Sequence, residues 1–319
     1  MNLKLVELNR ADYLGGSEVA AVLGVPGAWD SPFSVWARRQ PELADHTTQM
    51  TPAMEAGHRF EEAVMGWSAA QLGADMDNLL RGEPFGGKVV QGAESWAACH
   101  PDGYLNIDGM WHVYEGKLAS GQSHSFGPDG QMPDHYFVQW IYEQYCAQMP
   151  GAFGAQLSLR EPPWTHTMNR NVVIEKMIID RAGEWWHKHI VKGEAPEVDG
   201  SLTAKAWLSM RHKEHSNIMR DPTSEESALV EELKSAKLSM KAMQLDIAKL
   251  ENKIKEAIGG DEGLLYQGGP TFVSWRQQKG SNRLDQKKLR LEEPEVFNKY
   301  SKRGEPRRVL RAHPGWGAL

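Results

Sequence analysis

Residues 99–119 read CHPDGYLNIDGMWHVYEGKLA, and this stretch decides the fold. Asp108-Gly109 is a dipeptide that favours a two-residue hairpin turn, and the runs on either side of it, Trp96 to Ile107 and Met110 to Ala119, have apolar bodies. They are expected to form two strands joined as a hairpin. Along a strand, positions i and i+2 point to one face about 6.5–7 Å apart, so Glu115 and Lys117 can share a site. Asp102, expected on the preceding strand, can join them. The plain alternatives are a Pro-Asp-Gly turn for Asp102 and a solvated strand face for Glu115 and Lys117. Against them, YEGKLA sets both charges in an otherwise apolar run, where an unpaired charge is costly to bury.

A metal site accounts for that placement. Phosphodiester hydrolysis needs an activated water, charge cancelled on the transition state and a stabilised leaving oxygen. Carboxylate-bound Mg²⁺, or Mn²⁺ in its place, serves all three. Asp102 and Glu115 are the candidate metal ligands, Glu61 supplies a further carboxylate, and Lys117 orients the water or offsets transition-state charge. Pro101-Asp102, twelve residues, then Glu115-Gly116-Lys117 is the pattern of the PD-(D/E)xK nucleases. Alone the string is weak, because its residues are common and its spacer is permissive.

Working outward, Ser17 is expected to cap a helix over SEVAAVLG, and MEAGHRFEEAVMGWSAAQLG to form a second helix ending at Gly73. Phe60, Val64, Trp67 and Leu72 fall at helical spacing on that second helix, which also carries Glu61. A Gly/Pro/Ser-rich segment from Ser120 to Pro133 follows the hairpin. Beyond it, DHYFVQWIYEQYCAQM reads as a helix, AQLSLR and THTMNRNVVIEKMII as strands, and DRAGEWWHKHIVKG as a closing helix. Trp185 and Trp186 are expected to pack rather than to stack on bases.

The nuclease core is expected to span residues 1–200, with 201–319 an extension. Within the extension, residues 223–258 form a charged helical arm. Thr223 and Glu226 make its capping box and Gly259-Gly260 its stop. Leu229, Leu233, Ala236, Met240, Met243, Ile247, Leu250 and Ile254 alternate by four and three, a coiled-coil seam. LLYQGGPTFVSWRQQ then reads as a β-hairpin, followed by a basic tail from Lys279 to Arg311.

The chain has 319 residues, 40% of them hydrophobic, enough for one sizeable core and a smaller unit. A net charge of -6 argues against a general coat for nucleic acid and for local, metal-bridged contact. The two cysteines, Cys99 and Cys146, are too few for a disulfide framework and lack zinc-ligand spacing. With no long apolar run and no signal-peptide pattern, the expected location is the cytoplasm, with no membrane contact.

LGGSEVAAVLG, GHRFEEAV, CHPDGYL, YEGKLAS and HYFVQWIYEQYCAQMPG occur in the order and approximate spacing of the YqaJ-like viral recombinase family, which includes lambda exonuclease. The resemblance covers about residues 10 to 200, and TFVSWRQQ, RLDQKKL and PEVFNKY resemble the C-terminal extension of phage members. It implies an exonuclease that degrades one strand of linear duplex DNA from its 5′ end, leaving a 3′ overhang for a single-strand annealing protein. On the family's pattern Glu61 matches the helix glutamate, Asp102 and Glu115 the metal pair, and Lys117 the catalytic lysine. Tyr136 and Gln139 match the Y-x-x-Q element beside the site. Arg10 and Ser17 match the positions that bind the 5′ phosphate, which suits a guanidinium and a helix start.

This sequence departs from the pattern at Glu62, where the family commonly has proline, so either Glu61 or Glu62 faces the metal. The arm and tail have no counterpart in lambda exonuclease, which leaves the seam as an intramolecular hairpin, a homo-oligomer contact or a partner surface. His100 is either a neighbour of the metal or a structural residue at a strand end. The expected fold is α/β, a central mixed sheet flanked by helices with the helical arm and a small β unit appended. The rival activities are a DNA endonuclease of the same superfamily and a nuclease-shaped DNA-binding or scaffold protein.

Overall fold

A computed structural model describes residues 3–41, 52–71, 79–81, 88–119, 132–158, 164–214, 218–265, 271–302 and 309–310. In chain order its first elements are β1 (Leu5–Val6), α1 (Gly16–Val22), α2 (Pro32–Ala37), α3 (Pro52–Gln71), β2 (Leu79–Arg81), β3 (Val89–Gln91) and β4 (Ala98–Cys99). Then come β5 (Gly103–Ile107), β6 (Met110–Ala119), α4 (Asp134–Ala147), β7 (Gly151–Ser158), β8 (Trp164–Asn169), α5 (Val172–Trp186) and α6 (Leu202–Arg211). The last are α7 (Ser224–Ile258), β9 (Gly263–Leu265), β10 (Thr271–Ser274), α8 (Gln286–Glu292) and α9 (Pro294–Tyr300). The chain divides into two compact units, Met1–His212 and Lys213–Leu319.

The hairpin is the middle of the first unit. Asp108 and Gly109 take φ of 49° and 81°, the paired positive values of a type I′ turn, whose twist matches that of the strands it joins. β5 pairs antiparallel with β6, with Gly103 opposite Tyr114; β6 runs parallel to β7, and β7 antiparallel to β8. The result is a mixed five-stranded sheet in the order β2-β5-β6-β7-β8, beside a three-stranded sheet β1-β3-β4. The parallel β6–β7 connection carries α4, as a crossover must. One face of β6 presents Val113 to a core shared with α1, α4 and α5, through Val19, Trp140 and Ile178. The other face presents Tyr114, which packs with Met65 and Ala69 of α3 and with Leu105. The fold is thus α/β, a central mixed sheet flanked by helices.

Several local expectations change. Asp102 lies outside the strands: the stretch from Trp96 to Ile107 breaks at His100-Pro101-Asp102, so β4 joins one sheet and β5 the other. Proline, which lacks the ladder donor, interrupts the pairing there. The run VVIEKMII is helical and forms the first turns of α5. Its β-branched residues imitate a strand, but Asn171 Oδ1 accepts from the Val173 and Ile174 amides and starts a helix. Val172, Val173 and Met177 of that run are exposed, while Ile178, Ile179, Ala182, Trp185 and Trp186 face the core. Gly15, not Ser17, is the N-cap of α1; its amide donates to Glu18 Oε2 at 3.2 Å, and Ser17 is exposed. On α3 the buried stripe is Val64, Met65, Ser68 and Ala69, whereas Phe60 is 52% exposed. Leu72 and Gly73 lie outside the described residues. The sequence reading did not separate α2, α6, α8 and α9. α6 packs on α2 through Trp207, whose ring lies 5.4 Å from both Phe33 and Trp36.

The second unit centres on α7. Thr223 and Glu226 form the expected capping box: Thr223 Oγ1 accepts from the Glu226 amide at 3.2 Å, and Glu226 Oε2 from the Thr223 amide at 2.8 Å. Gly259 ends the helix with φ 58°. β9 and β10 pair antiparallel as the expected hairpin; residues 266–270, which join them, lie outside the described residues, as do 303–308 and 311–319 of the basic tail.

Candidate active site

Strand alternation sends Val113, Glu115 and Lys117 to the α4 side of β6. Glu115 is buried, and its carboxylate is held at both oxygens. Lys117 Nζ lies 2.7 Å from Oε2, and Gln139 Nε2 of α4 donates to Oε1 at 3.0 Å. Asp102, just before β5, meets the same strand from across the hairpin, its Oδ2 accepting from the Gly116 amide at 2.8 Å. Lys117 Nζ also sits 5.2 Å from the centre of the Tyr136 ring, a cation–π contact. Asp102, Glu115, Lys117, Tyr136 and Gln139 therefore converge on one site. Gln156 of β7, opposite Lys117 in the sheet register, is buried next to it.

The sequence reading overlooked Glu143. It follows Gln139 by one helical turn and is buried, and Gln139 Nε2 donates to its Oε1 at 2.9 Å, so one amide ties Glu115 to Glu143. Its Oε2 has no hydrogen-bond partner among the described residues. Behind it stands the start of α1: a Cβ on Gly16 would come within 2.5 Å of Glu143 Oε1, so only glycine fits there unless a side chain moves. The i, i+4 spacing of Gln139 and Glu143 was the available signal.

Burial and the neighbouring carboxylates set the electrostatics. Burial, then Asp102 and Glu143, push Glu115 well above the carboxylate range. Burial likewise pushes Glu143 up to about 7, against the Gln139 amide and the Lys117 ammonium, which lower it. Burial disfavours the Lys117 charge, yet Glu115, Asp102 and Glu143 outweigh it and hold the ammonium above its ordinary range. A carboxylate raised by its carboxylate neighbours, as Glu115 is, is relieved by a cation.

The donor set fits a small hard cation. Among the described residues no group of three or more His, Cys, Asp or Glu side chains forms a ready-made metal cage. Mg²⁺ does not need one, since it binds through one or two carboxylates and completes its shell with waters and substrate phosphates. Asp102 and Glu115 supply such a pair, and the unpartnered Glu143 Oε2 adds buried negative charge.

The other expected residues stand on α3, after β4, and at or before the start of α1. Glu61 is on α3, which packs on the Tyr114 face of β6; it is half-buried, 4.0 Å from His58 Nδ1, whereas Glu62 is exposed. His100 is exposed after β4. Arg10 lies at the start of α1, where its Nη2 pairs with Glu18 Oε2 at 2.6 Å and its Nη1 donates to the Tyr13 carbonyl. Glu18 also receives Arg39 at 2.8 Å and Arg38 at 3.4 Å. Ser17 is the second residue of α1, and Arg10, which precedes that helix, is tied to it through Glu18. α1 touches the centre through Gly16, which stands against Glu143.

Residues 7–150 match the YqaJ-like viral recombinase domain. The chain is also 25% identical over 317 residues to YqaJ of Bacillus subtilis (strain 168), an alignment covering 94% of this chain and 91% of that protein. Among solved structures it is similar to an alkaline exonuclease from Laribacter hongkongensis, with 14% identity, TM-score 0.46, and coverage of 57% of this chain and 90% of that one. A phage related exonuclease from Haemophilus somnus 129PT is similar at 12% identity and TM-score 0.41, over 57% of this chain and 96% of that one. The match over residues 7–150 takes in α1, the hairpin and α4, the elements that supply Arg10's neighbourhood, Asp102, Glu115, Lys117, Gln139 and Glu143. The residues that match the YqaJ-like viral recombinase domain all lie within the first unit of this protein.

Proposed function

We propose that this protein is a divalent-metal-dependent DNA nuclease, and specifically an exonuclease that degrades linear duplex DNA 5′ to 3′ and leaves 3′ overhangs for recombination. The observation that carries the reading is the convergence of Asp102, Glu115 and Lys117, with Lys117 Nζ 2.7 Å from Glu115 Oε2 and Asp102 bonded to the strand between them. Asp102 and Glu115 would hold Mg²⁺ or Mn²⁺, with Glu61 of α3 the further carboxylate proposed for the site. Such an ion supplies Lewis acidity and lowers the pKa of water. The surrounding carboxylates favour the charged form of Lys117, which would offset charge on the attacked phosphate and orient the incoming water. Gln139 fixes the Glu115 carboxylate, and Tyr136 covers Lys117 and keeps it from swinging away.

Arg10 and Ser17 would receive the 5′ phosphate. Arg10 is half-exposed despite its pairing with Glu18, and Ser17 is exposed. α1, which bears Ser17 and pairs with Arg10 through Glu18, abuts Glu143 and would set an anion-binding group next to the metal-binding one, as cleavage near a 5′ end requires. The product would pass to a single-strand annealing protein, and the place of action would be the cytoplasm. Among the described residues no helix is long and apolar enough to cross a membrane.

The test is digestion of a linear duplex labelled separately at each 5′ and 3′ end, beside a closed circle, with Mg²⁺, Mn²⁺ or EDTA. Metal-dependent loss from the 5′ ends by wild type alone, with Lys117→Ala inert and the circle intact, is the expected result. Cutting of the circle would make the protein an endonuclease. DNA binding without cleavage under any metal would make it a binding protein.

A further inference from the structure

The α7 seam is apolar, and its side chains are exposed. Its large residues range from 37% exposed at Leu233 to 65% at Leu229, with Met243 at 62% and Leu250 at 59%. Eight seam positions from Leu229 to Ile254 on a single helix of 35 residues make an apolar stripe about 38 Å long, far more than a helix in water carries without a partner. The four–three alternation is that of a left-handed coiled coil, with Leu233, Met240, Ile247 and Ile254 at the a positions and Leu229, Ala236, Met243 and Leu250 at d.

We propose that this seam docks on the α7 of a second copy of the chain, running antiparallel, so that the arms form a two-stranded coiled coil. Size complementarity favours this orientation. A parallel pair sets a against a and d against d, which puts Ala236 opposite its own copy and leaves a gap in the seam. An antiparallel pair sets a against d: Leu233 meets Leu250, Ala236 meets Ile247 and Met240 meets Met243, so the small residue faces a large one. Charge favours it as well. In a parallel pair the flanking g and e positions match Glu232 with Lys237 but bring Asp246 against Glu251. In the antiparallel pair, g meets g: Glu232 faces Lys253 and Ser239 faces Asp246, with no like-charge contact. The flanking e positions then pair Lys237 with Gln244. The docking does not depend on the nuclease reading.

The test uses the full chain. Sedimentation at tens of micromolar should give twice the chain mass, and Leu233→Glu with Leu250→Glu should halve it with the helical circular dichroism unchanged. For orientation, Leu233→Cys and Leu250→Cys variants are treated with a short bismaleimide, separately and after mixing; the native Cys99 and Cys146 are buried, and the parent chain serves as the control. Cross-linked dimer from the mixture alone is the expected result. Dimer from Leu233→Cys by itself overturns the antiparallel arrangement. A monomer, an assembly of three or more copies, or a dimer that survives the double glutamate variant overturns the docking itself.

Discussion

Lys117 and Glu143 bracket Glu115 from two sides, and their replacement separates charge from scaffold. Lys117→Ala is expected to lower the cleavage rate by about 10²–10⁴-fold, the range for losing one positioned proton or charge group. Single-turnover rates on an end-labelled duplex check it, with circular dichroism showing the fold retained. Glu143→Gln keeps an acceptor for Gln139 but removes a buried negative charge next to Glu115. It should weaken Mn²⁺ binding by roughly 10–100-fold, as for other groups that support a metal ligand. Calorimetric titration of wild type and variant reads this directly, and equal affinities would remove Glu143 from the site. Because burial lifts Glu143 to about 7 and Glu115 above its ordinary range, protons compete with the metal there. Mn²⁺ affinity should therefore fall as pH drops through about 7 in wild type, and less steeply in Glu143→Gln.

Two elements hold the site in place by contacts that single substitutions can break. Gly154 of β7 faces the ring of Trp140 on α4, and a Cβ there would clash with that ring and lie 2.5 Å from the Glu115 carbonyl oxygen. Gly154→Ala must push α4 away from β6, or displace Trp140, at a cost of about 1–3 kcal/mol or more. A lowered midpoint in urea with unchanged m-value checks it. At the start of α1, burial pushes Glu18 upward, but Arg39 and Arg10 overcome burial and hold it below its ordinary value of 4.5. A depressed carboxylate contributes stability above that ordinary value and loses it as pH falls through its folded value. Wild type should thus lose stability on acidification below about 4.5, while Glu18→Gln is flatter there. At neutral pH the variant should be less stable by about 2–3 kcal/mol, under the value for a wholly buried pair because Arg10 keeps water contact. Melting curves of both proteins across pH 3–7 provide the comparison.

At the scale of the whole molecule, metal binding and folding are linked. If Asp102 and Glu115 take an ion only in the folded state, Mn²⁺ or non-catalytic Ca²⁺ at ten to a hundred times its dissociation constant should stabilise the protein by roughly 1.4–2.7 kcal/mol. The melting temperature of wild type should rise accordingly, and that of Asp102→Asn should not. This readout needs no DNA, so it tests the metal site apart from the proposed activity.

The residues of the centre were legible because the strand period is two: Glu115-Gly116-Lys117 on one side of an Asp-Gly turn and Asp102 on the other require nothing beyond the hairpin to meet. The α7 arm was legible for the same kind of reason, since its caps and its heptad spacing are local. The Asn171 cap of α5 was local too, yet the β-branched run after it concealed the helix. Glu143 and Gly16 became a feature of the site only when α4 crossed β6 and the start of α1 closed behind it, a contact between residues 127 positions apart. The sides of β6 also belong to the tertiary structure. α3, with Glu61, covers the Tyr114 face, while α4, with Gln139, covers the Glu115 face. Periodicity specifies that a strand has two faces and which residues share each. Only the packing of helices on them, a sum of many weak non-local contacts, decides which helix each face receives.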